Sequence, residues 1–415
     1  MKLTDEEQGM IDGKYGKAVA MAMSILTKLG QIYDAKEMIP ISQVHIDSSA
    51  YKTIGEAGLE FAEKLADSGA RFCVPTTLNP TSRDIKRWQE FRIPPNFAEK
   101  SRRLEQAYLR MGAIPTWTCA PYLYGVIPRF GQQIAWAESN AITFVNSVIG
   151  ARTARYGDFA DICAAITGRV PKFSLHLSQN RAVEVLLKLQ ASSLINWDDD
   201  SIYPLIGYIV GSTAQGRIPV IDGIPNNVTS DQLKGLSAAA ASSGAVALFH
   251  ILGVTPEAAT YQDAFQGKEP LQIINIGEEE LLKARQDLST VEEGKIDLVI
   301  IGCPHASLPE VEQLVQVLAG RKVCQEVELW VQTNRTVYYW LEQTDLLNSL
   351  NFSGIKVITD TCILSWPLDN WDFQLLVTNS AKFAHYAPSM LQTQVVFGNL
   401  QKCVEAAVKG EVRRS

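Results

Sequence analysis

Runs of apolar residues a few positions long alternate along much of this chain with longer stretches in which apolar positions recur every three or four. Near the N-terminus the pattern predicts a strand at Ser42–Ile46, a helix at Ile54–Ser68, a strand at Arg71–Val74, a helix at Asn96–Met111 and a strand at Ile114–Thr118. The final third repeats the rhythm. Ile296–Ile301 (IDLVII) is a continuous apolar run of the kind found in strands buried on both faces. Ser307-Leu308-Pro309-Glu310 then reads as a capping box, with a helix running to Ala319 and stopping at Gly320. Further strands are expected at Val327–Val331, Gly354–Thr359 and Gln374–Val377. Strands alternating with helices point to βαβ units and parallel sheets.

The middle of the chain differs. Apolar stretches at Ile202–Val210, Ile218–Ile221 and Ala245–Leu252 surround PNNVTSDQLKG, where turn residues precede a helix cap expected at Ser230. Glu278–Leu288 has the charge pairing of a solvated helix. These changes divide the chain into an N-terminal α/β lobe (1–193), a middle lobe (194–293) and a C-terminal α/β lobe (294–415). Leu236–Val254 is the longest uncharged apolar window, but SSG interrupts it and His250 lies within it. A buried helix followed by a strand is expected there, not a membrane span.

Composition narrows the possibilities. The 415 residues are 46% hydrophobic and 20% charged, with a formal net charge of −7. No basic cluster is present, which argues against a nucleic-acid surface. The N-terminal MKLTDEEQGMIDG is acidic and lacks the apolar core of a secretion signal. Seven cysteines at 73, 119, 163, 303, 324, 362 and 403 never form a CxxC pair. They suit a cytoplasmic chain with reduced thiols, and their spacing by itself specifies no metal.

Ligands of doubly wound sheets sit beyond the carboxyl ends of the strands. The predicted exits carry His45-Ile46-Asp47-Ser48-Ser49, then Pro75-Thr76-Thr77-Leu78-Asn79-Pro80, Cys119-Ala120-Pro121, Gly302-Cys303-Pro304-His305, Asp360-Thr361-Cys362 and Thr378-Asn379-Ser380-Ala381-Lys382. Three of the six hold a cysteine, whereas Cys73, Cys163, Cys324 and Cys403 read as small packed residues. One cysteine at a strand end is by default packing; three on one rim could hold a metal cluster. Between Gly131 and Gly168, Glu138, Ser139, Asn140, Asn146 and Arg152 suit binding of carboxylate and hydroxyl groups, or equally a buried helix with satisfied polar groups. Lys382 suits an anion or acid–base role, His45 and His305 a proton-transfer role, and each has an ordinary structural alternative. No phosphate loop, GxGxxG turn, GxSxG elbow or HExxH helix occurs.

These residues resemble the aconitase X family. The segments that carry the likeness are HIDSSAYKTIGEAGLEFAEKLA, VPTTLNP, TCAPY, IAWAESNAITFVNSVIGARTARYGD, GCPHASL, TDTC and TNSAKFAHYAP, in order along nearly the whole chain. The resemblance implies an aconitase-like, multi-lobed α/β/α fold with mostly parallel sheets and a hydro-lyase that dehydrates a small hydroxy acid. Mevalonate 5-phosphate and cis-3-hydroxy-L-proline are the substrates it suggests. It implies a 4Fe–4S or 2Fe–2S cluster, or a mononuclear iron, held by Cys119, Cys303 and Cys362. It further implies catalytic roles for Glu138, Ser139 and Lys382, with substrate contacts at Ser48, Ser49, Asn79, Pro80 and, on the reading above, Arg152. Members acting on phosphomevalonate look more like GVS where this chain has Ser48-Ser49-Ala50. The family has a small swivelling domain carrying a catalytic serine, fused in some members, so a separate small subunit is the expected partner. An iron-sensing or scaffold protein on the same fold is the alternative.

Overall fold

The computed structural model describes residues 1–190, 195–367 and 371–413. The chain forms two compact units. The first comprises Met1–Ala182, Thr255–Glu257 and Thr361–Pro367; the second comprises Val183–Val254, Ala258–Asp360 and Leu368–Ser415.

In the first unit a parallel sheet has Val44–Ile46 at its centre, flanked by Thr76–Leu78 and Ala135–Trp136. The helices Lys17–Ile32, Tyr51–Asp67, Pro95–Met111 and Ala160–Thr167 belong to this unit. Their buried faces share a core that includes Met23, Leu26, Leu59, Leu104, Tyr108 and Ile162. An antiparallel pair, Met38–Pro40 with Arg169–Pro171, completes it.

Two expected strands take another form. Arg71–Val74 is an irregular approach to the Thr76–Leu78 strand, and Ile114 makes only a single bridge to Thr77. Pro75 and Pro115 supply the reason, since neither has an N–H to give to a ladder. Thr116 and Thr118 reach Leu78 differently: Leu78 N donates to Thr116 Oγ1 at 2.9 Å, and Thr118 N donates to Leu78 O at 3.0 Å. Cys73, expected to be packed, is exposed in this approach segment.

The second unit contains two all-parallel sheets. One has the order His250–Ile251, Pro219–Asp222, Val185–Leu189, Gln272–Ile276. The other has the order Ile355–Thr359, Glu328–Thr333, Leu298–Ala306, Leu375–Thr378, Gln394–Phe397. The Ser307 capping box forms, the Leu308–Leu318 helix follows it, and Ala319 ends the helix in the left-handed region. In the middle segment Thr229 caps the Ser230–Gly244 helix, one residue before the expected position, and Gln232 completes its capping box. That helix stops at Ala245, and only His250–Ile251 of the following apolar run pairs as a strand. Among the described residues no helix is long and apolar enough to cross a membrane.

Candidate active site

The three parallel strands of the first unit end at one neighbourhood. Val44–Ile46 leads into Asp47-Ser48-Ser49, Thr76–Leu78 into Asn79-Pro80, and Ala135–Trp136 into Ala137-Glu138-Ser139. Such strands contribute few ladder bonds, so side chains fix the exits. Ser49 Oγ donates to Asn79 O at 2.7 Å, and Asn79 Nδ2 donates to Asp47 Oδ1. Tyr108 Oη donates to Ser48 O at 2.7 Å and lies 3.0 Å from Ser48 Oγ. Beneath them the buried Asp161 carboxylate accepts Asp47 N at 2.8 Å and Ile162 N at 2.7 Å. Burial pushes Asp161 up to about 7, although those backbone N–H groups favour its ionised form.

His45, fully buried in the centre strand, pairs through Nδ1 with Thr77 Oγ1 at 2.8 Å. Burial pushes its pKa down to about 4, opposed by the charge of Glu138 and by the Asn79 amide. Its Nε2 nonetheless makes no well-formed hydrogen bond among the described residues. The imidazole is therefore neutral near pH 7. Glu138 caps the short Ser139–Phe144 helix, accepting Ala141 N at 2.6 Å, and Ser139 Oγ donates to Glu138 Oε1 at 3.3 Å. Asn140 links this exit to Cys119: its Nδ2 donates to Cys119 O at 2.7 Å and its Oδ1 accepts Tyr122 Oη at 2.9 Å.

Cys362 joins the same unit through Thr81, the residue after Pro80. Thr361 Oγ1 donates to Thr81 O at 2.8 Å, and Cys362 N reaches that oxygen at 3.4 Å. Thr81 Oγ1 in turn donates to Glu105 Oε1 at 2.9 Å, and Arg83 Nε donates to the same carboxylate oxygen at 3.0 Å. Both charged side chains are buried. The structure thus gathers Ser48, Ser49, Asn79, Pro80, Cys119, Glu138, Ser139 and Cys362 around these strand ends. It does not bring Arg152 to them. The backbone of Arg152 runs beside Gln132–Ile134, ahead of the third strand, and its Nη1 donates to Ser178 Oγ at 2.6 Å.

In the second unit Cys303 lies in the Leu298–Ala306 strand, past the residues Leu298, Val299 and Ile300 that pair with Leu376–Thr378, and Lys382 follows that neighbouring parallel strand. The register shifts after Ile301. Gly302 makes the turn at φ +91°, where a Cβ would lie 2.1 Å from Gln332 O. Ser380 Oγ donates to Cys303 O and also caps the Ala381–Met390 helix, accepting Phe383 N at 3.0 Å. Lys382 lies in the first turn of that helix and is half-buried. A cavity of about 520 Å³ in this unit is lined by Cys303, Asn379 and Ser380, with Asp198, Asp200, Asp231, Glu310 and Lys234 among the other walls.

Cys119, Cys303 and Cys362 are all half-buried, the first and third in the first unit and Cys303 in the second. Among the described residues no three His, Cys, Asp or Glu side chains form a metal-holding group. Sequence reasoning missed Asp161, the Arg83–Glu105 pair and Lys234. For Asp161 and Lys234 a signal existed: each is a lone charge inside an apolar helical run, ADICAAI and LKGLSAAAA.

The family models described as the first, second and third domains of aconitase X match residues 1–179, 183–286 and 296–409. The cis-3-hydroxy-L-proline dehydratase of Pseudomonas aeruginosa is 43% identical over 97% of this chain and 69% of its own length. That of Hypocrea jecorina is 40% identical over 99% of this chain and 69% of its own. The phosphomevalonate dehydratase large subunit of Methanocaldococcus jannaschii is 36% identical over 98% of this chain and 100% of its own. A crystal structure of holo aconitase X from Thermococcus kodakaraensis superposes with a TM-score of 0.88 at 33% identity, covering 98% of this chain and 100% of that one. The chain therefore belongs to the aconitase X family, whose matched relatives include dehydratases of both kinds.

Proposed function

We propose that this chain is the large subunit of an iron-dependent hydro-lyase that dehydrates a small hydroxy acid, cis-3-hydroxy-L-proline ahead of mevalonate 5-phosphate. The observation that carries the reading is the convergence of three parallel strand exits on a buried polar cluster, in a chain whose relatives are dehydratases. The residues that would hold iron are Cys119, Cys303 and Cys362. Their chemistry fits, because thiolates are the donors that iron–sulfur centres take. When bound, such a centre supplies a Lewis acid that makes the substrate hydroxyl a better leaving group.

The chain's own residues bind and orient the acid. The Asn79 amide and the Ser48–Ser49 loop, locked together by hydrogen bonds, present polar groups at fixed positions. Glu138 and Ser139 act at the third exit, and the Lys382 ammonium, in the first turn of a helix, attracts the substrate carboxylate. A base on a small subunit removes the proton from the adjacent carbon; the naming of relatives as large subunits supports that partner. Two features favour the imino acid. The second unit's cavity carries the carboxylates of Asp198, Asp200, Asp231 and Glu310 against one lysine, a poor setting for a phosphate. Ser48-Ser49-Ala50 also departs from the GVS expected in chains that act on phosphomevalonate.

The test is anaerobic purification with a small subunit, iron quantification, and turnover assays on both acids. Cys119→Ala, Cys303→Ala and Cys362→Ala should each lose iron and activity. Full iron and full activity in all three sinks the site; iron without turnover of either acid favours the scaffold alternative.

A further inference from the structure

Next to Cys303 lies a buried ionic group that the proposed chemistry does not use. Lys234, on the Ser230–Gly244 helix, is 1% exposed. Its ammonium donates to His305 O at 3.3 Å and to Glu310 Oε2, and lies 2.9 Å from Asp231 Oδ1. Ser307 closes the group: its Oγ donates to Asp231 Oδ2 at 2.7 Å and its N donates to Glu310 Oε2 at 2.8 Å. One helix thus grips both the carbonyl two residues beyond Cys303 and the cap that follows its strand. Burial alone would push the ammonium down, but the Glu310 and Asp231 carboxylates outweigh it and hold the group above its ordinary value, so it stays charged. Well-packed apolar side chains often stabilise a core as well as such an ionic group does. What the apolar set cannot do is hold a carbonyl and a helix cap at fixed positions. On its other flank Cys303 is held by Ser380, through the carbonyl, and by the turn at Gly302.

We infer that Lys234 is a positioning residue for Cys303: through His305 O, Asp231 and Glu310 it fixes the Cys303–Ser307 segment at the end of the Leu298–Ala306 strand and holds Cys303 at the wall of the cavity. The consequence for iron rests on the proposed role of Cys303 as a ligand; the consequence for the thiol does not. Three full-length variants test it. Lys234→Met leaves two half-buried carboxylates without their cation, Lys234→Met/Glu310→Gln relieves one of them, and Asp231→Asn keeps the volume. The readouts are the rate of iodoacetamide labelling at Cys303 in iron-free protein, followed by peptide mass spectrometry, iron per chain after anaerobic reconstitution, and the thermal midpoint.

Cys303 should label on the order of tenfold faster in both Lys234 variants, the scale of losing a buried bond from a charged donor. Labelling of Cys119 and Cys362 should stay unchanged, iron per chain should fall, and the double variant should recover thermal stability without recovering slow labelling. Asp231→Asn should shift labelling in the same direction by less. Wild-type labelling of Cys303 in any folded Lys234 variant overturns the inference. So does a failure of all three variants to fold, since the group then serves the unit as a whole. Full iron in Cys303→Ala would instead remove the ligand role, while the labelling rates still judge the positioning.

Discussion

The two units fix their strand exits by different means. In the first, the central sheet has strands of two and three residues, and the exits are tied by Ser49, Asn79, Tyr108, Asp161 and the Arg83–Glu105 pair. In the second, longer strands carry the sheet and helix caps set their ends, Ser307 after Leu298–Ala306 and Ser380 after Leu375–Thr378, with a long-range ionic group, Lys234 with Asp231 and Glu310, added beside Ser307. A long ladder and a cap can be read from neighbouring residues. A buried side-chain network cannot, because its members lie tens of residues apart in the chain. The first arrangement should therefore be brittle towards single side-chain changes at many positions, and the second chiefly at Lys234 and its two carboxylates.

The sharpest way to break that contrast is Arg83→Met. It leaves the buried Glu105 carboxylate without its cation and should cost about 3–5 kcal/mol in denaturant unfolding. Arg83→Met/Glu105→Leu should recover most of the loss. A cost below about 1 kcal/mol for the single change would show that the first unit does not depend on this network.

Next comes pH. Asp161 is held up to about 7 against an ordinary 3.8, so the native chain binds that proton more tightly than the unfolded chain. Its stabilising contribution is full below the ordinary value and declines as pH rises through about 7. His45 and the buried His176, which pairs with Gln133 and Tyr156 in the first unit, act in the opposite sense. Burial holds them neutral, at about 4 and about 3, so their contribution is full above 6.5 and is lost as pH falls towards those values. Unfolding curves from pH 4 to 8 should show Asp161→Asn flattening the decline on the alkaline side; an unchanged slope would remove Asp161 from the account.

In the second unit, Gly302→Ala should cost about 1–3 kcal/mol, from the left-handed backbone and the approach of Gln332 O. Ser307→Ala should cost about 1–2 kcal/mol, the scale of a lost cap together with its hydrogen bond to Asp231. If Ser307→Ala costs as much as Arg83→Met, the caps carry more than local structure and the contrast fails.

The same difference explains what the sequence made legible. IDLVII, the SLPE cap and the later strands were recoverable because each signal lies within a dozen residues. The exits at Ser48–Ser49, Asn79–Pro80 and Glu138–Ser139 were recoverable because they follow strands. Ile114–Thr118 reads as a strand from its apolar run, but Pro115 interrupts the ladder and threonine side chains take its place. Arg152 falls near Glu138 in sequence, but the chain turns at Gly150, φ +73°, and carries it to Ser178. Asp161, Lys234 and Arg83–Glu105 acquire their partners only through tertiary folding.

The short segment Thr361–Pro367 packs with the first unit although the sequence on both sides of it belongs to the second. Its anchor is Thr81, some 280 positions earlier in the chain. No single cut of the polypeptide can then yield two fragments that each contain a whole unit. A polypeptide cut at the unit boundary between Ala182 and Val183 would leave Cys362 on a fragment separate from Thr81, the residue that anchors its segment.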